Sequence, residues 1–171
     1  MIILHCTQKV LTEGGFEESN LHAFPERGPV EHWYTNLFLC SRKKHLIFTH
    51  ARSRFSFVVS NIRRHNVRHI GQTFAKALPK AMFYKEFRAE DIKEVSAWFN
   101  AISLAKTENH AVVGSMNEFT RHFKWYMEEE LVGGEADIIA INKKLNEMPM
   151  RVFKRYEIPI QKFRKVVQEK Y

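Results

Sequence analysis

Three groups of side chains stand at spacings that can support chemistry. Arg64 and His69 form an R-x4-H pair. Metal-independent ribonucleases use such a pair, the His moving a proton and the Arg stabilising a phosphate-centred transition state. Domains that use this pair are all-helical, whereas this segment directly follows a predicted strand, so a solvated basic loop is the better reading. Ser115, in Gly114-Ser115-Met116-Asn117-Glu118, invites a nucleophile or phosphate-turn reading. Ser followed three residues later by Glu is also a capping box, which predicts a helix opening there. Tyr34, Asn36, Lys106, Asn109, His110, Ser115 and Asn117 fall on predicted turns and element ends. Gathered at one sheet end they would line a pocket; apart, they are hydrogen-bonded turn residues.

Other chemistries lack their residues. The stretch Gly134-Glu135-Ala136-Asp137-Ile138 resembles the strand of a metal-dependent nuclease, but no E-x-K element follows it. No H-E-x-x-H or C-x-x-C spacing occurs, nor a P-loop, G-x-G-x-x-G or G-x-S-x-G. We therefore expect no metal and no cofactor, and nothing gives an enzyme a positive signature. Cys6 and Cys40 are too few for a disulfide framework and read as small core residues of a chain in a reducing cytoplasm.

Charge is the strongest signal. The 171-residue chain has a formal net charge of +8. Residues 32–85 hold eleven Lys and Arg and no Asp or Glu. Arg42, Lys43, Lys44 and Arg52 fall on predicted hairpin turns, Arg54 on a strand, and Arg63, Arg64 and Arg68 at a strand-to-helix transition. If these converge, they make a patch that attracts phosphates.

The elements that must position these groups follow from periodicity. Ile2–Cys6 reads as a strand and Gln8–Leu11 as a brief helix or turn. Residues 13–31, with Gly14-Gly15, Pro25 and Gly28-Pro29, read as a long loop. Runs at 33–40, 45–50 and 54–59, with short gaps between them, predict an antiparallel meander. Apolar stripes at helical spacing follow: Ile70, Phe74, Ala77 and Leu78, with Asn66 as N-cap and Pro79 ending or kinking the segment, then Ile92, Val95 and Phe99. Residues 101–107 read as a later strand. Helices are then expected around Phe119 and Phe123 (ending at Gly133-Gly134), around Ile141 and Leu145, and from Pro159. The order implies an α+β fold in one domain over 1–171: a small antiparallel sheet of the meander, the N-terminal strand and one later strand, covered mainly on one side by C-terminal helices.

Six segments resemble a family of small prokaryotic proteins classed as a domain of unknown function. They are Trp33-Tyr34-Thr35-Asn36-Leu37-Phe38, Leu46-Ile47-Phe48, Phe55-Ser56-Phe57-Val58-Val59, Lys106-Thr107-Glu108-Asn109, Gly114-Ser115-Met116-Asn117-Glu118 and Leu145-Asn146-Glu147-Met148-Pro149-Met150. The resemblance runs in order over most of the chain through W-Y-x-N, G-S-M-N-[DE] and L-N-x-x-P-M motifs. It implies a shorter loop before the Trp-Tyr pair than residues 13–31 provide, and it brings no established activity.

The expected function is a nucleic-acid-binding or nucleic-acid-associated accessory protein, with DNA or RNA held by the basic residues of 42–68 and with Tyr34, Phe48 or Phe55 stacking on bases where exposed. One alternative is a protein-interaction module of a mobile-element, toxin–antitoxin or phage-defence system with an acidic protein partner. The other is a metal-independent ribonuclease. No apolar run approaches the ~18 residues of a membrane span, and the N-terminus lacks the basic region of an export signal. A cytoplasmic protein with no membrane partner is expected.

Overall fold

The computed structural model describes residues 1–21, 30–130, 137–152 and 154–169. The chain opens with β1 (Ile2–Cys6), α1 (Gln8–Gly14) and a single 3-10 turn at Glu18–Asn20. Residues 22–29 of the expected loop lie outside the described residues. Next come β2 (Glu31–Cys40), β3 (Lys43–His50) and β4 (Ser56–Val59), then α2 (Arg64–Arg68), α3 (Ile70–Tyr84) and α4 (Ala89–Ala97). β5 (Ile102–Lys106), α5 (His110–Glu130) and α6 (Ile138–Glu147) follow. A short hairpin of β6 (Met150–Val152) and β7 (Arg155–Glu157) precedes α7 (Pro159–Gln168).

The strands form a five-stranded sheet in the order β4-β3-β2-β1-β5. The meander is antiparallel as expected, with Thr35 opposite Phe48 and Phe48 opposite Phe57. β1 joins it in parallel to β2, and β5 runs parallel to β1, so the α+β sheet is mixed rather than antiparallel throughout. All five residues of β1 are buried, which is why it is a continuous apolar run apart from His5.

Both faces carry helices. On the first face Leu4, Trp33, Phe48 and Phe57 pack against Phe74 and Leu78 of α3, Val95 of α4 and Phe163 of α7. Trp33 is the hub, meeting Phe55, Phe57, Phe74 and Phe163 edge-on at ring separations of 5.1–6.4 Å. On the second face Tyr34, Phe38, Ile47 and Val58 pack against Met116, Phe119 and Phe123 of α5 and Leu145 of α6. The expected one-sided cover is therefore corrected. Alternation along the meander sends apolar residues to both faces, and each needs a helix to exclude water.

Three local expectations also change. Pro79 does not end α3, because the buried stripe Ile70, Phe74, Leu78 and Met82 runs through it to Tyr84. Ser115 is not an N-cap. α5 begins five residues earlier, and Asn109 caps it by accepting from the amides of Ala111 (3.0 Å) and Val112 (3.2 Å). Asn66 serves as the third residue of α2, where its Oδ1 accepts from the Arg63 amide at 2.9 Å. The helix stop at Gly133-Gly134 lies outside the described residues, as do Gly134, Glu135 and Ala136 of the nuclease-like segment. Asp137 of that segment caps α6, as a helical reading requires.

The edge strand β4 is closed by α6. Asn146 accepts from the Ser56 amide (2.8 Å) and donates to the Ser56 carbonyl (2.6 Å). Asn142 makes the same pair with Val58, at 2.8 and 3.0 Å. Four residues of helix rise ~6 Å and two residues of strand ~6.7 Å. Two amides at i and i+4 therefore match the outward backbone groups of alternate strand residues and satisfy an edge that would otherwise be open.

Candidate functional site

The basic residues of 42–68 divide between the two ends of β3, a strand of eight residues and so about 24 Å long. Ser41 and Arg42 take left-handed φ values of 51° and 62° in the β2–β3 turn, and both Arg42 and Lys43 are exposed there. The amide of Ile62 donates to the Lys44 carbonyl at 3.0 Å, drawing Arg63 and the start of α2 to this same end. Arg63, Arg64 and Arg68 are exposed. From here α3 carries Lys76 and Lys80 along one flank, and His65, His69, Lys76 and Lys80 line a shallow groove with Val59. None of these cations has an ion pair among the described residues. Lys44 differs, since its Nζ lies 2.6 Å from Glu13 Oε1.

Arg52 and Arg54 lie at the far end. Arg52 is 3.1 Å from Glu169 and 3.9 Å from Glu31. Arg54 is 3% exposed and sits in a turn, not on a strand. A left-handed φ of 61° swings its side chain inward, where Nε donates to Ser115 Oγ (3.1 Å) and a terminal nitrogen donates to the Ala51 carbonyl. Burial holds its pKa below the usual range. The sheet interior thus takes up a cation that sequence alone places with the surface set.

Tyr34, Phe48 and Phe55 are also buried, at 4%, 0% and 0% exposure, and offer no stacking surface. Arg64 opens α2 and His69 follows its last residue. The His69 ring contacts His65 (rings 4.5 Å apart), with Nδ1 3.0 Å from the His65 carbonyl, and no contact joins it to Arg64.

Part of the expected pocket set does gather, near the end of β1 and β5. His5 Nδ1 donates to the Lys106 carbonyl at 3.0 Å, which leaves Nε2 to accept from His32 Nδ1 at 2.9 Å. The Tyr34 ring stacks on His5 at 4.4 Å, and its hydroxyl meets the Asn109 backbone. Burial lowers the pKa of both His5 and His32 and raises that of Tyr34. Lys106 itself pairs with Glu18. Asn36 accepts from Thr7 Oγ1 (2.7 Å) and belongs to the β1–α1 junction instead. His110 and Asn117 are exposed on α5.

One constellation had no signal in the sequence. The Ser53 amide donates to His50 Nδ1 (3.3 Å), so that nitrogen is an acceptor and also takes the Ser53 hydroxyl hydrogen (2.8 Å). Nε2–H then donates to Glu31 Oε2 at 2.7 Å. The order is that of a hydrolase relay. Its members are 0%, 0% and 2% exposed, however, so no substrate reaches Ser53 Oγ. It fixes the β3–β4 turn to the start of β2. Only the fold brings residues 31, 50 and 53 together.

Among the described residues no group of three or more His, Cys, Asp or Glu is placed to hold a metal ion. No helix is long and apolar enough to cross a membrane.

The model of the domain of unknown function DUF6933 matches residues 3–162, and the chain belongs to that family. No curated protein matches the chain.

Proposed function

We propose that this DUF6933 member is a nucleic-acid-binding accessory protein whose contact surface is the Arg42–Lys43 turn together with α2 and the adjoining flank of α3. The observation that supports this reading is the set Arg42, Lys43, Arg63, Arg64, Arg68, Lys76 and Lys80, exposed and without an ion pair among the described residues. Like charges crowded on one end repel one another, and a row of phosphates relieves that repulsion while releasing condensed counterions. Guanidinium groups take phosphate oxygens in pairs, which favours the three Arg around α2 as anchors. Contacts of this kind go to the backbone of the nucleic acid, so weak sequence preference is expected. Arg52 and Arg54 take no part, the first because of Glu169 and the second because it is buried.

Fluorescence anisotropy with a short RNA and a duplex of equal length tests this. Arg63→Glu with Arg64→Glu is expected to weaken binding by at least about tenfold at low salt, while Arg52→Gln at the far end stays within about twofold. Equal losses from both changes, or none from the first, would overturn the assignment of the surface.

A further inference from the structure

Beside the edge strand β4, α3 passes α6 with little to fill the gap. Ala77 and Ala81, four residues apart on α3 and so on one helix face, present only methyl groups toward Phe57, Val59 and Ile138. A cavity of about 200 Å³ remains, with the half-exposed Tyr84 and Ile139 at its rim. An apolar cavity of roughly 150 Å³ accepts benzene, so this space suits an apolar body of about six to eight carbons.

Just past the end of α3, Lys85 also lines the cavity and is only 8% exposed. Its Nζ donates to the Lys143 carbonyl at 2.6 Å. No carboxylate lies within ion-pair distance of it among the described residues. The charges that face it are Glu147 and Lys143 on α6 and Arg164 on α7, one negative against two positive. A buried ammonium normally has a counter-ion. Burial and the two cations bring the Lys85 pKa down to about 8, as expected for a charge left without one.

We infer that this cavity is a binding site for a small carboxylic acid anion, its alkyl or aryl body between α3, β4 and α6 and its carboxylate on the Lys85 ammonium. The cavity adjoins the basic groove on α3, sharing Val59 and Ala77 with its lining, but the inference does not rest on nucleic-acid binding.

Calorimetric titration of the full chain with hexanoate and with 1-hexanol at pH 6.5 tests the assignment. Hexanoate is expected to bind saturably and at least about tenfold more tightly than hexanol. Lys85→Met is expected to erase that preference, and Ala81→Leu to block both ligands. Arg63→Glu with Arg64→Glu leaves hexanoate affinity unchanged, which separates the two sites. Equal binding of acid and alcohol, or a preference that survives Lys85→Met, overturns the inference, as does an absence of saturable binding. A readout on the unaltered protein guards against a misfolded variant. Hexanoate affinity is expected to fall about tenfold per pH unit above pH 8 as the ammonium loses its proton, and a flat profile between pH 7 and 9.5 refutes the ammonium's role.

Discussion

Asn146 gives the sharpest test of how the sheet edge is built. It is 1% exposed, and Ser56, whose amide and carbonyl it satisfies, is 0% exposed. Asn146→Leu keeps the volume roughly constant but strands both backbone groups away from water. Each orphaned group costs about 1–3 kcal/mol, so a loss of about 2–5 kcal/mol is expected. That is a large share of the roughly 5–15 kcal/mol by which domains are stable. With a urea slope near 2 kcal/mol/M, the midpoint should fall by about 1–2.5 M. Hydrogen exchange localises the effect: the Ser56 amide should lose protection most, and the Val58 amide, held by Asn142, much less. Asn146→Asp keeps the acceptor for the Ser56 amide but turns a carboxylate against its carbonyl, so it should not rescue. A variant within about 0.5 kcal/mol of the parent, with Ser56 protection intact, would refute the reasoning.

Further outcomes follow from the buried titratable groups. The Lys85 amine titrates near pH 8 when folded and about 2.5 units higher when unfolded, so the unfolded state binds more protons between pH 8 and 10.5. Stability should therefore rise across that window relative to Lys85→Met, and urea midpoints at pH 7.5 and 10 read it. His5, His32 and His45 have folded pKa values lowered mainly by burial, so the unfolded chain protonates first. Stability should fall as the pH drops below about 6.5, and midpoints at pH 7.5 and 5.5 that coincide would contradict this. Ser53→Ala removes the hydroxyl that donates to His50 and accepts from the Phe55 amide at 3.1 Å. A loss of about 1–3 kcal/mol in urea denaturation is expected.

Most elements were legible because their periodicity is local. Phe55, Phe57 and Val59 alternate, and Phe119, Phe123 and Met127 repeat every four residues, whatever they pack against. What was not legible depends on partners far along the chain. β1 is apolar at Ile2, Ile3 and Leu4 and reads as a strand, yet its parallel pairing with β2 and β5 is set by crossovers through α1 and through α2 to α4. β6 and β7 have three residues each, too few for a period to show. Arg54 looks like its exposed neighbours until the turn gives it a positive φ and Ser115 meets it from residue 115. Asn142 and Asn146 read as polar positions of an amphipathic helix. Their role exists only because the edge of β4 lies beside them.

Salt dependence of nucleic-acid binding tests the central proposal most directly. If the basic end engages about four to six phosphates, the logarithm of the association constant for duplex DNA should fall against log salt with a slope of roughly −4 to −5. Arg63→Glu with Arg64→Glu should make that slope clearly shallower, whereas Arg52→Gln should leave it in place. No measurable binding at low salt, or a slope flatter than about −1 in the unaltered protein, would contradict the account.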